Sequence, residues 1–360
     1  MFKDSTLKGQ EALSDMVTVP QSGNARDFQG AINKVPEYDV PSQFGLPANI
    51  DRSVQRFNSN AVLTSLKQLA AVSAEELRFD KAIWTAKLGP ICQLWSNLYK
   101  QEHYDKVVIT QEQLNTPDPV AAFVYVELEN VKDILQVVHD SISNIVKILK
   151  GSEMLTAKSQ KEATNLLQGE VPATWEAKWE GPENPDQWIK VVTKKAAALV
   201  QWLQRVNDGT LLDKEIDLSH LFHPETFLNA LRQKSARKLK IAIDELKLVS
   251  SFEKGKLAAD IGIQLQGLWL QGCQFDGRQL VDIRDADGQT SELIHVPVCY
   301  VGWIGRDAPS PHPAEATVET PVYHSLDREQ LLCTLQVPNQ GPAAARVLGG
   351  VALFLNGSAI

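Results

Sequence analysis

The chain has 360 residues, a formal net charge of −8, and 43% hydrophobic against 22% charged residues, an ordinary globular balance with room for two domains or one domain plus an appendage. Its acidic balance argues against nucleic acid or an anionic membrane as the main partner, because both select clustered Lys and Arg. No apolar run reaches the roughly 18–20 residues that a membrane span needs, the opening MFKDSTLKGQEALSDM lacks the apolar segment of a secretory signal, and the closing NGSAI carries no prenylation or retention signal.

Residues 1–25 are polar and rich in Gly, Ser and Asn, the composition of a poorly ordered start. A short helical pattern over Ala25–Val35 leads into VPEYDVPSQFGLPANID, whose prolines and glycine predict an extended connector. From Val54 to Leu98 the pattern is helical, with Val62, Leu66 and Leu69, then Trp84, Leu88, Ile91 and Trp95, at three- and four-residue spacing. Pro90 lies inside the second pattern, so that helix is expected to begin near Leu88 or to kink there. A polar loop over 101–119 ends in Pro117 and Pro119.

The longest helix is predicted between Val120 and Lys150. Val124, Leu128, Val131, Leu135, Val138, Ile142, Ile145 and Leu149 form one apolar stripe, and at about 1.5 Å per residue the helix is about 45 Å long. Gly151 is its natural stop. Such a stripe suits a coiled-coil seam, but the short helices around it favour packing within one bundle. A helix over Ser159–Leu167 follows. Trp175, Trp179 and Trp188 then cluster around Gly-Pro and Asn-Pro breaks; they read as anchors pinning a loop and helix starts to the bundle, with ligand stacking as the alternative. Asp186 is the expected N-cap of a helix over Gln187–Arg205 that buries Ile189, Val192, Ala196, Leu199, Trp202 and Leu203.

After the Asn207-Asp208-Gly209 turn, Pro224 suits the first turn of another helix. Phe227, Ala230 and Leu231 mark one face, while Arg232, Lys234, Arg237, Lys238 and Lys240 form the one basic stripe of the sequence, a solvated face or a dock for an acidic neighbour. From Ile261 the period drops to two. Gly267 and Gly272 suggest a bulge or a close backbone approach, Asp276-Gly277 and Asp287-Gly288 are turn signals, and about six strands are expected by the C-terminus, an antiparallel sandwich or small barrel.

Chemistry is scarce. Lys254-Gly255-Lys256 lacks the upstream glycine and following hydroxyl of a phosphate loop, and there is no His-Glu-x-x-His or paired Cys/His spacing. His220 and His223 lie three apart, but Pro224 at the helix start gives His223 a capping or packing role in preference to metal binding. No Gly-x-Ser-x-Gly elbow is present. The carboxylate pairs Glu75–Glu76 and Asp285–Asp287 read as solvated, and GIQLQG (Gly262–Gly267) sits inside a strand pattern, not before a helix, which defeats a dinucleotide reading. Cys92, Cys273, Cys299 and Cys333 contain no Cys-x-x-Cys and read as reduced thiols of a cytosolic protein, a disulfide among the last three being the alternative. Catalytic, cofactor-binding and metal-binding residues are therefore none.

A family resemblance emerges from ordered motifs. LFHPETFLNALRQKSAR (Leu221–Arg237), followed by GIQLQGLWLQGCQFDG (Gly262–Gly277), resembles the C-terminal region of dynein heavy chains. FDKAIWTAKLGPICQLWSNL (Phe79–Leu98) resembles the helix that opens that region's final domain, and VPVCYVGWI (Val296–Ile304), ETPVYHSLDRE (Glu319–Glu329) and GGVALFLN (Gly349–Asn356) resemble its later strands, with Val296 and Thr320 as departures. Pro41, Phe44, Gly45, Leu46 and Asn49 occupy positions similar to the end of an AAA+ lid. His223, Asn229, KWEGPENP (Lys178–Pro185) and LQGCQFDG are most similar to the cytoplasmic dynein heavy chains of intraflagellar transport.

The resemblance implies an α+β fold. After an unmatched or disordered stretch (1–25), it places the end of the sixth AAA+ module's lid and a connector over 26–55, a helical bundle over 56–257 and a small antiparallel β-barrel over 258–360. It implies a non-catalytic region that braces the AAA+ ring and tunes stepping of a minus-end-directed motor in retrograde intraflagellar transport. The implied partners are the rest of the ring and, through upstream regions, microtubules and the intermediate, light intermediate and light chains, with neither nucleic acid nor membrane among them. ATP and Mg belong to upstream modules, and the implied location is cytoplasm, cytoskeleton and cilium, including axoneme and basal body. Met1 and the unmatched first 25 residues keep a free-standing scaffold related to that domain as the alternative.

Overall fold

The computed structural model describes residues 24–33, 48–69, 79–99, 107–257, 259–281, 293–313 and 316–355. The expected disorder of the first residues, the connector over 35–47 with Pro41, Phe44, Gly45 and Leu46, the Glu75–Glu76 and Asp285–Asp287 pairs and the Asp287-Gly288 turn lie outside those residues. The protein divides into two units, Met1–Ala71 with Gly341–Val351, and Val72–Gln340 with Ala352–Ile360.

In the first unit, α1 (Ala25–Ile32) and α2 (Ala48–Leu69) precede a short helix over Ala343–Leu348. The helical spacing read between Val54 and Leu69 holds, but Val62 and Leu66 are each more than half exposed.

The second unit opens with α3 (Lys81–Leu98), capped by Asp80, whose carboxylate accepts the N–H groups of Ala82 and Ile83. The helix does not begin near Leu88 but runs through Pro90. Gly89 explains this: proline crowds the β-carbon of the residue before it in a helix, and glycine has none. Trp84, Leu88, Ile91 and Trp95 are the buried face, as their spacing predicts. A capping box at Thr110 and Gln113 shapes the short α4 (Gln111–Leu114).

The bundle is organised around α5 (Pro119–Lys150). Asp118 caps it, Pro119 takes the first position where an N–H is dispensable, and Gly151 ends it in the left-handed conformation. The predicted stripe, apart from the half-buried Leu149, is buried within the same chain, against α3, α6 (Ala157–Leu167), α8 (Pro185–Asn207) and α9 (Pro224–Leu239). The tryptophans are bundle anchors: Trp175, in the single turn α7 (Ala173–Glu176), and Trp188 pack at 5.3 Å between ring centroids, with Trp179 at 5.8 Å from Trp188. Helix α8 is not capped by Asp186. Asn184 is the cap, its amide oxygen accepting the N–H groups of Asp186 and Gln187, because Pro185 fixes the first helical position and moves the start forward.

The strands are β1 (Glu215–Asp217), β2 (Leu246–Ser251), β3 (Gly262–Gln266), β4 (Trp269–Gln271), β5 (Gln274–Phe275), β6 (Leu280–Val281), β7 (Ile294–His295), β8 (Cys299–Gly305), β9 (Thr317–Tyr323), β10 (Leu331–Pro338) and β11 (Ala352–Phe354). They form a four-stranded sheet β1-β3-β8-β2, a five-stranded sheet β10-β9-β11-β4-β7, and the ribbon β5-β6. The α+β class is as expected, whereas the closed antiparallel barrel is not: among the described residues both sheets are open, and β1–β3 and β11–β9 are parallel pairs. The ladders stop at β2 and β10, where the Ser250 hydroxyl donates to the Gln336 carbonyl at 2.8 Å in place of a backbone ladder. The parallel pairs arise because β1 precedes α9, far from β3 in sequence, and because β11 inserts between β9 and β4. At the crossing from β3 to β4, Gly267 has φ +79°, and a β-carbon there would lie 3.1 Å from the Asp217 carboxylate. This is the close approach its position suggested.

Candidate functional site

Where α9 begins, residues from α5, α8, β1 and the turn after β9 converge into a polar seam between the helices and the sheets. Its centre is Glu127, a carboxylate on the buried side of α5 and only 2% exposed. It accepts the backbone N–H groups of Phe222 at 2.8 Å and His223 at 2.9 Å, and its second oxygen lies 2.8 Å from His223 Nδ1. The unsatisfied donors of a helix start are thus met by a side chain from another helix. His223 is the N-cap residue of α9, yet its side chain makes no cap hydrogen bond within that helix; it reaches Glu127.

Beside this contact, Lys195 of α8 donates to the carbonyl oxygens of Ser219 and Leu221 and lies 5.4 Å from the ring centroids of both Trp179 and Phe222. Burial pulls the Lys195 amine down to about 8, against the opposing pull of Glu127, Asp217 and Glu225. Trp179 meets Phe222 edge-on at 5.2 Å and 83°, which fixes the aromatic frame around the amine.

Two more histidines face carboxylates here. His220 Nε2 is 3.7 Å from Asp217, and His324 Nε2 is 3.7 Å from Glu225. Burial lowers the pKa of both imidazoles below the usual histidine value, against the neighbouring carboxylates. The sequence pair His220 and His223 is therefore split between two carboxylates. Among the described residues no group of three or more His, Cys, Asp or Glu side chains is placed to hold a metal ion. The seam joins and positions segments of the helices and sheets.

The basic stripe of α9 is largely engaged within the protein. Arg232 donates to the Ile243 carbonyl at 2.7 and 3.1 Å, Lys234 pairs with Asp118 at 2.6 Å, and Arg237 donates to the Pro117 carbonyl. Lys240 ends the helix at φ +57°. The stripe ties α9 to the start of α5 and to the turn before β2, so the expected solvated face or acidic dock is reduced to Lys238 and the exposed edges of Arg237 and Lys240. Sequence spacing does not reveal Glu127, which lies 96 residues from His223; its one signal is an acidic residue inside the apolar stripe of α5.

None of the four cysteines is in a disulfide: Cys273 and Cys299 are buried and Cys92 and Cys333 half-buried. Burial pushes Cys92 up to about 11 and Cys333 to about 12, and raises Cys299 further. Burial thus disfavours the thiolate form at Cys92, Cys299 and Cys333. No helix among the described residues is long and apolar enough to cross a membrane. The first unit offers a different surface: along α2, Phe57 is 74% exposed, and Val62, Leu63 and Leu66 are each more than half exposed.

Residues 56–355 match the family model of the C-terminal domain of the dynein heavy chain. The sequence is 37% identical over 340 residues to cytoplasmic dynein 2 heavy chain 1 of Homo sapiens, covering 94% of this chain and 8% of that protein. It is 34% identical over 359 residues to cytoplasmic dynein 2 heavy chain 1 of Chlamydomonas reinhardtii, again 94% and 8%. Dynein axonemal heavy chain 1 of Mus musculus is 24% identical over 362 residues, 93% of this chain and 8% of that one. The chain thus spans about 8% of the length of the relatives it matches.

Proposed function

Because the chain belongs to the dynein heavy chain family, with that family's C-terminal domain over residues 56–355 and a higher identity to these dynein 2 members than to the axonemal one, we propose that it is a non-catalytic region of a microtubule motor that braces an AAA+ ring and tunes its movement. In this reading residues 26–55 are the end of the ring's last lid, 56–257 the helical part and 258–360 the sheet part of the domain. ATP hydrolysis, Mg binding and contact with microtubules and the smaller dynein chains belong to other parts of the heavy chain. The setting is the cytoplasm, cytoskeleton and cilium, and the transport is retrograde.

The family match over most of the sequence is the observation that carries this reading. The exposed apolar residues of α2, Phe57 and, adjacent at helical spacing, Leu63 and Leu66, support a docked role, because large apolar side chains left in water are costly unless a neighbour covers them. The long, multiply packed α5 supplies a stiff element for bracing. The test is a full heavy chain with Phe57→Glu, Leu63→Glu and Leu66→Glu together in this region, assayed for ATPase rate and microtubule gliding. A severalfold change in velocity with the protein still folded is expected; unchanged velocity and ATPase would overturn the bracing role.

A further inference from the structure

The seam at the start of α9 holds three of the seven histidines in the sequence, each facing a carboxylate and all gathered around one half-buried amine. His223 meets Glu127 at 2.8 Å, while the His220–Asp217 and His324–Glu225 separations of 3.7 Å exceed hydrogen-bond reach. Lys195 lies amid the same carboxylates, Glu127, Asp217 and Glu225, with Lys194 adding positive charge. His220 also faces Lys194, Lys195 and Arg205, and His324 also faces Lys195 and Asp327. These groups come from α5, α8, β1, α9 and the turn after β9, so the cluster bridges every segment that meets at the seam.

Near neutral pH, with His220 and His324 uncharged, the three cations Lys194, Lys195 and Arg205 are outnumbered by one by the four carboxylates Glu127, Asp217, Glu225 and Asp327. Protonating both His220 and His324 turns that excess of one negative charge into an excess of one positive charge around Lys195, and each new imidazolium gives up water while its carboxylate, at 3.7 Å, offsets only part of the desolvation cost. Repulsion and desolvation then act together on the segments that carry the two rings, Leu218–His220 and the turn after Tyr323. We infer that this seam is a proton-sensitive joint, closed near neutral pH and loosened by acid, which sets how firmly the sheets are held to the helical bundle. Burial lowers both imidazoles in the closed form, which agrees in direction: the closed form resists taking up these protons.

The experiment is hydrogen–deuterium exchange of the 360-residue chain at about pH 7.5, 6.5 and 5.5, corrected for intrinsic exchange, spanning the range in which histidines titrate. Peptides covering Glu215–Leu228 and Tyr323–Gln330 should lose protection by about tenfold at the lowest pH, while β8 keeps its protection. The double variant His220→Gln with His324→Gln should abolish that response, and His139→Gln, in the bundle, should leave it intact. Protection independent of pH, or a double variant that responds as the unmodified protein does, would overturn the joint. If the double variant fails to fold, imidazole titrations by NMR on the unmodified protein decide. An exchange midpoint matching His220 or His324 supports the joint, and one following only His139 or His295 refutes it.

Discussion

Glu127 and His223, 96 residues apart in sequence, share a 2.8 Å contact that fixes the start of α9 onto the middle of the bundle. The same carboxylate accepts two backbone N–H groups, so removing it strands donors that the helix cannot satisfy itself. Glu127→Ala should cost about 2–4 kcal/mol. Glu127→Gln should cost clearly less, because the amide oxygen still accepts from the backbone. Urea unfolding measures both, and equal losses would mean that the cost is cavity volume and not the unmet donors.

Gly181 shows a purely steric requirement. A β-carbon there would come 2.3 Å from the Trp179 ring, and that ring is held between Trp188, Phe222 and the Lys195 amine. Gly181→Ala should therefore destabilise by about 1–3 kcal/mol through overpacking. It should also change Trp179 fluorescence or its NMR environment at Lys195. A neutral effect on stability would mean that the indole has room to move.

Most of the helices were legible because each is written locally. The spacing of Trp84, Leu88, Ile91 and Trp95 gives a face, and Gly151 gives a stop. The errors come where two local rules compete or where partners are remote. Pro90 invites a helix start near Leu88 unless Gly89 is seen to relieve its crowding, and Asp186 reads as a cap until Pro185 claims the first position for Asn184. Strand identity is similarly local, but closure is not: nothing between Leu246 and Pro338 announces that the ladders end at β2 and β10. The seam was almost invisible, since Glu127, Lys195 and His324 lie on separate segments and resemble ordinary surface residues until the fold assembles them.

Lys240 carries a backbone strain that the sequence shows only as charge. It sits at φ +57° at the end of α9, with its N–H on the Ala236 carbonyl. A side chain in that region is disfavoured relative to glycine. Lys240→Gly should raise stability by about 0.5–1 kcal/mol, whereas Lys240→Val, β-branched, should lower it by more than that. Thermal unfolding checks the order, and a destabilising glycine would show that the lysine stem and amine contribute more than the backbone strain costs.

Lys195 gives the clearest pH signature. Its pKa is about 8 in the folded protein against 10.5 for the free side chain, so between those values the unfolded state holds more protons than the folded one. Stability must then rise with pH across that window, and below about pH 8 the folded state bears the full cost of enclosing the ammonium. Lys195→Met removes the titration while keeping a long apolar stem. Set against the unmodified protein, the variant should lack a gain on the order of 1–3 kcal/mol between pH 8 and 10.5, a range kept wide because the residue is only half-buried. Both proteins share every other tyrosine and lysine, so the difference between their two pH curves isolates this amine. Parallel curves would mean that the Ser219 and Leu221 carbonyls and the two rings stabilise the ammonium as well as water does.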